Sequence, residues 1–133
     1  MRKIALALLL FLAAWPKAHA HEHQRPCGTG GNRHENKRMV RCLSKLPGLR
    51  VSTREALSVA NCESGFYAKA DGGSYHGIFQ LGISEFRSFQ HQGPRWVDAE
   101  FRKHSYGILS ARGNTLAALA HAHRYGWGAW SCA

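Results

Sequence analysis

From Lys37 to Leu46 the apolar residues Met39, Val40, Leu43 and Leu46 recur at the spacing of one helical face, and Pro47-Gly48 follows as a stop. This predicts a short amphipathic helix, with Cys42 on the side of Met39 and Leu46. Ser52-Thr53-Arg54-Glu55 reads as a capping box, and Ala56, Leu57, Val59, Ala60 and Cys62 continue an apolar face. A second helix is therefore expected to reach about Ser64 and to end at Gly65. The run Asp71-Gly72-Gly73-Ser74-Tyr75-His76-Gly77 predicts a tight turn with a short strand pair. Helical spacing then resumes from Ile78 to Phe89, with Ile78, Leu81, Ile83, Phe86 and Phe89 as core positions, until Gly93-Pro94 breaks it. Trp96, Val97 and Phe101 predict another short helix. Asn114 is expected to cap the last one, Thr115 to Tyr125, which Gly126 closes. The expected fold class is thus mainly α, a small helical domain with one β-hairpin element.

The two ends of the chain depart from this pattern. Arg2 and Lys3 precede the apolar run Ile4 to Trp15, and Ala18-His19-Ala20 is a small-x-small cleavage site, so residues 1–20 read as a signal peptide. That run is shorter than the ~20 residues that span a bilayer, and no later stretch is apolar enough to serve as a transmembrane segment. Removal of Arg2, Lys3 and Lys17 would lower the formal charge from +10 to +7. Residues 21–36 are rich in His, Gly and charge and are expected to form a flexible basic arm, leaving residues 37–133 as the domain. His21-Glu22-His23 has a second reading: an amine freed after Ala20, with His23 third, could hold Cu²⁺. A solvated arm is the expected one, and no metal site or other cofactor is assigned.

Composition limits the function classes. A chain of 133 residues is one domain, and 44% hydrophobic residues with 14 Gly and 4 Pro is neither disordered nor low in complexity. Secretion would place Cys27, Cys42, Cys62 and Cys132 in an oxidising compartment, where two disulfides are expected rather than zinc, since no pair has knuckle spacing. Three pairings are possible. The excess of basic residues suits either an anionic cell wall or nucleic acid, but no nucleic-acid motif is present.

The chemistry sits in Asn61-Cys62-Glu63-Ser64-Gly65-Phe66, followed across the glycine-rich turn by Gly77-Ile78-Phe79-Gln80. A carboxyl that is to act as a general acid must stay protonated near neutral pH, which needs apolar burial or adverse electrostatics. The C-terminal end of a helix supplies negative partial charge beside Glu63, and Phe66, Phe79 and Cys62 could supply burial. The alternative is that Glu63 is an ordinary solvated helix-end residue.

This pair of motifs, with the ending Gly126-Trp127-Gly128-Ala129-Trp130-Ser131-Cys132, resembles the lysozyme-like superfamily, in its lytic transglycosylase and resuscitation-promoting-factor branches. The likeness covers roughly residues 53 to 132. It implies an α+β lysozyme-like fold that cleaves peptidoglycan glycan strands, with Glu63 as general acid and base and Gln80 contacting sugar hydroxyls or N-acetyl groups. Ser64 would orient the Glu63 carboxyl or cap the helix, and Ser74 matches the serine of the intervening loop. Where the family has a Tyr-Asn pair this chain has His121, His123 and Tyr125. Tyr75, Trp96, Tyr106, Tyr125, Trp127 and Trp130 could stack on pyranose faces, although filling the core is the more ordinary role of such residues. A second carboxylate would come from Asp71, Glu85 or Asp98, of which only Asp71 lies in the loop beside the motif. A mechanism with one carboxylate is therefore favoured. The disulfides expected are Cys62 to Cys132, tying the aromatic tail to the helix with the acid, and Cys27 to Cys42.

Two function classes follow: a secreted or periplasmic, wall-associated enzyme acting as a monomer, or a cationic wall-binding or antimicrobial protein with little turnover. In both, the run Arg33 to Arg41, with Arg33, His34, Lys37, Arg38 and Arg41 against Glu35, contributes to wall association through charge. Retention on insoluble peptidoglycan should fall as salt shortens the Debye length from ~10 Å at 0.1 M to ~3 Å at 1 M; equal pull-down at both would exclude an electrostatic role.

Overall fold

The computed structural model describes residues 25–133. The expected signal peptide, with His21 and His23, lies outside the described residues. Five helices follow one another, α1 (Arg33–Leu43), α2 (Thr53–Ser64), α3 (Ile83–Phe89), α4 (Arg95–His104) and α5 (Ala111–Tyr125).

The first helix starts earlier than its apolar pattern indicates, because Asn32 and Glu35 form a reciprocal capping box ahead of the first apolar residue. Its inward stripe is Asn36, Met39, Val40 and Leu43. Asn36 is buried without cost in unpaired groups: it donates to Phe66 O at 2.9 Å and accepts from Gly31 N–H at 2.9 Å. The residues from Gly31 onward, expected in a flexible arm, are thus bonded into the domain. Leu46 falls in the turn beyond the helix.

Ser52 caps α2 by accepting the Glu55 N–H, and Gly65, left-handed at φ +59°, ends it. The expected strand pair reduces to two isolated antiparallel bridges, Asp71 with His76 and His76 with Leu81. No ladder grows because Gly77 and Gln80 are both left-handed, at φ +80° and +47°, and fold the chain back within five residues. The same turn delays the next helix from Ile78 to Ile83, where Gly82 N–H is capped by the Glu85 carboxylate at 2.9 Å. Ile78 and Leu81 are still buried, as are Phe86 and Phe89, but Ile83 is exposed.

The last helix also begins early, at Ala111, with Ser110 accepting Gly113 N–H at 3.0 Å. Asn114, expected as its cap, is fully buried one turn inside. Every residue from Ala111 to Ala120 is buried, the signature of a helix surrounded by others. Helices α1, α3 and α4 pack on α5, and α2 packs on α1.

Disulfides join Cys27 to Cys42 and Cys62 to Cys132, at sequence separations of 15 and 70. On the chain-entropy argument the longer loop stabilises the fold by ~4 kcal/mol and the shorter by ~3. Urea unfolding of Cys62→Ala/Cys132→Ala should therefore show the larger loss. A larger loss in Cys27→Ala/Cys42→Ala would mean that native-state packing, not chain entropy, sets the order.

Candidate active site

At the C-terminal end of α2 an open cleft of about 370 Å³ is lined by Glu63, Tyr75, Gln80, Leu81, Glu85 and Phe89, and by Ala129, Trp130 and Ser131 of the tail. Its volume lies within the ordinary range for small-ligand sites, about 300–1,000 Å³. The end of α2, the turn, α3 and the tail form its walls, so its shape depends on how the segment His76 to Gln80 is held.

That segment is mostly buried and lies in no strand ladder: the N–H groups of His76, Gly77 and Gln80 donate to the carbonyls of Leu81, Ala70 and Gly77, and side chains satisfy much of the rest of its backbone. Ser64 Oγ donates to Ile78 O at 2.8 Å. Asn114 accepts the Phe79 N–H at 2.8 Å and donates to both His76 O and Ile108 O at 3.0 Å. Trp130 Nε1 donates to Phe79 O at 2.8 Å, with its ring edge-on to Phe79. A Cβ at Gly77 would overlap the Asn114 amide, so glycine is required there for close approach as well as for its positive φ.

Glu63 is half-buried, and burial raises its carboxyl pKa from the ordinary value. Among the described residues no ion pair or side-chain hydrogen bond engages it. Gln80 faces the same cleft, but its amide nitrogen already donates to Gly77 O at 2.9 Å and Ala70 O at 3.3 Å. Its donor capacity is therefore largely committed, which leaves Oε1 as its freer group towards a ligand.

The second carboxylate in the cleft is Glu85, not Asp71. Asp71 Oδ1 accepts Gly73 N–H at 3.0 Å and lies 3.3 Å from His76 Nδ1, with the side chain largely exposed outside the cleft. Asp98 sits on α4, paired with Arg102 and His91. The Gly82-x-x-Glu85 capping pattern was available in the sequence as a marker of Glu85's place at a helix start.

The other expected contacts divide. Tyr75 lines the cleft and is 51% exposed, so its ring is available to a ligand. Ser64 is occupied with Ile78 O and with the Tyr67 N–H it accepts at 3.2 Å, a positioning role. Ser74 is exposed and not among the cleft residues, and Tyr125 is exposed beside His121, also outside the lining. Trp127 and Trp130 are buried against Phe79, so the tail aromatics belong chiefly to the core. Behind them His121 stacks on Phe89 at 3.9 Å, and burial holds its imidazole below the usual pKa against a smaller opposing pull from Glu85.

Among the described residues no three His, Cys, Asp or Glu side chains are grouped to hold a metal ion. None of their helices is long and apolar enough to cross a membrane. No family model, curated protein or solved structure matches the chain.

The raised carboxyl has a stability consequence. The folded state holds the Glu63 proton to higher pH than the unfolded chain, so folding loses stability as pH rises from the ordinary carboxyl value through the raised one. Glu63→Gln removes that loss. Its Tm advantage over wild type should grow from acid to neutral pH and vanish at acid pH; a difference that shrinks as pH rises would contradict burial of the carboxyl.

Proposed function

We propose that this protein is a secreted, wall-associated glycosidase of lysozyme-like fold that cleaves the MurNAc-GlcNAc β-1,4 bond of peptidoglycan, by the route of a lytic transglycosylase. The observation that carries this reading is Glu63, its pKa raised by burial and its carboxyl free of ion pairs, facing an open cleft with Gln80 and Tyr75. A carboxylic acid that keeps its proton towards neutral pH suits donation to a glycosidic oxygen. Glu63 then gives its proton to the leaving oxygen as the glycosidic bond breaks. As carboxylate it takes a proton from the muramyl 6-hydroxyl, whose oxygen closes onto the anomeric carbon. The products are a new 4-hydroxyl end and a 1,6-anhydro end, and the enzyme recovers its proton. The substrate's own N-acetyl group would assist at the anomeric carbon, with Gln80 Oε1 and the Tyr75 ring holding the sugar.

One observation favours a second reading. Glu85 lines the same cleft, and hydrolysis needs a second carboxylate to activate water. Its cap on Gly82 N–H leaves the other oxygen without a side-chain donor among the described residues. A wall-binding or antimicrobial protein of the same fold, with no turnover, would use the basic surface alone.

Purified peptidoglycan digested with wild type, Glu63→Gln and Glu85→Gln separates these readings by fragment mass. Wild type should yield anhydro ends, one water lighter than reducing ends. Glu63→Gln should lose about 10²- to 10⁴-fold in rate, and Glu85→Gln should keep the anhydro product. Reducing ends that disappear in Glu85→Gln would make the enzyme a hydrolase, equal activity in Glu63→Gln would exclude Glu63 as the catalyst, and no fragments from wild type would leave the binding protein.

A further inference from the structure

On the opposite side of α2 from the cleft lies a second concavity, between α1 and α2, lined by Lys37, Arg41, Arg54, Ser58, Asn61 and the apolar pair Leu57 and Phe66. Asn61 and Glu63 are two residues apart on one helix, hence about 200° apart around its axis, so groove and cleft face different ways. Lys37 and Arg41 are one helical turn apart, about 6 Å along α1. Arg54, Ser58 and Asn61 repeat at the same kind of spacing on α2 and present a guanidinium, a hydroxyl and an amide. Among the described residues none of the three cations pairs with a carboxylate, and no acidic side chain lines the groove. The cationic row continues past the groove to Arg33, which lies over the Tyr67 ring at 5.3 Å.

We propose that this groove binds an extended phosphodiester-linked polyol chain. Two guanidinium forks and an ammonium, set on rigid helices with neutral donors between them, match repeated anionic oxygens better than a single anion. Single-stranded nucleic acid fits less well, because it needs a run of exposed aromatic platforms for its bases; the groove's one aromatic, Phe66, is buried beneath Lys37, whose ammonium lies 5.9 Å from its ring, and the exposed Tyr67 beyond the groove carries the Arg33 guanidinium on its ring. A membrane surface fits less well again, since the groove offers no exposed large apolar side chain to insert. A thin aromatic-free anionic chain can lie along the groove while the cleft across α2 stays open. The assignment does not depend on turnover at Glu63.

Binding to soluble poly(glycerol phosphate) tests it by titration, with polygalacturonate, a single-stranded oligonucleotide and anionic phospholipid vesicles as competing arms. The triple variant Lys37→Gln/Arg41→Gln/Arg54→Gln should weaken poly(glycerol phosphate) binding at least tenfold. A control that removes the same charge from α3 and α4, Arg87→Gln/Arg95→Gln/Lys103→Gln, should stay within about twofold of wild type. Glu63→Gln should bind as wild type does, which separates this proposal from the glycosidase reading. Thermal melts of each variant confirm folding, and should the triple variant melt early, the single variants Lys37→Gln, Arg41→Gln and Arg54→Gln replace it, each expected to lose at least twofold. Equal loss in groove and control variants would reduce the effect to net charge and overturn the proposal. Tighter binding to polygalacturonate, oligonucleotide or vesicles than to poly(glycerol phosphate) would overturn the assigned ligand.

Discussion

Buried backbone groups must be hydrogen-bonded, and in the stretch from His76 to Gln80 the turn's own backbone supplies partners for the N–H groups of His76, Gly77 and Gln80 but not for Phe79 N–H or the carbonyls of Ile78 and Phe79. Side chains from three elements supply these, Asn114 from α5, Trp130 from the tail and Ser64 from α2. A buried donor or acceptor left unmatched costs about 1–3 kcal/mol, so the three are bound to this one arrangement. The consequence is geometric: the end of α2, the turn and the tail are fixed relative to one another, and the cleft is the space they leave. The Cys62–Cys132 bond closes the same circuit covalently.

The central helix makes the arrangement possible through small residues. Five alanines from Ala111 to Ala122 let neighbours approach closely, as where Gly93 lies against Ala120. On its other side Arg112 is almost fully buried, a costly position for a charge that here is answered by Glu100 at 3.3 Å and by the carbonyls of Pro26 and Gly28. Tyr106 donates to the same Glu100 at 3.0 Å; burial, with that hydrogen bond, raises its phenol pKa. This cluster anchors the segment around Cys27 to the helical core.

Charge is distributed unevenly over this basic chain. The cleft is lined by two carboxyls, Glu63 and Glu85, and by no Lys or Arg, whereas the groove across α2 is lined by three cations and no acid. Keeping cations out of the cleft preserves the raised pKa that burial gives Glu63, since an opposite charge nearby would lower it. The cationic surface and the carboxyl whose pKa burial raises are thereby carried on separate faces.

Local rules sufficed for part of this architecture. The α2 boundaries follow from Ser52 and Gly65, and the core positions Met39, Val40, Leu43, Val59, Phe86, Phe89, Val97 and Phe101 follow from periodicity, because both depend on neighbours within one or two turns. The motif around Glu63 was visible for the same reason. What depended on distant partners was not: whether Asn114 caps a helix or pins a loop, whether Ile78 starts a helix or ends a turn, and which carboxylate reaches the cleft. Asn114 and Asp71 have ordinary capping and turn identities, and Glu85 looks like any helix-start acid. Contacts spanning 35 residues between Asn114 and Phe79, and 51 between Trp130 and Phe79, decided those roles. A buried backbone is satisfied by whichever side chain the packing brings to it, and sequence spacing carries no record of that choice.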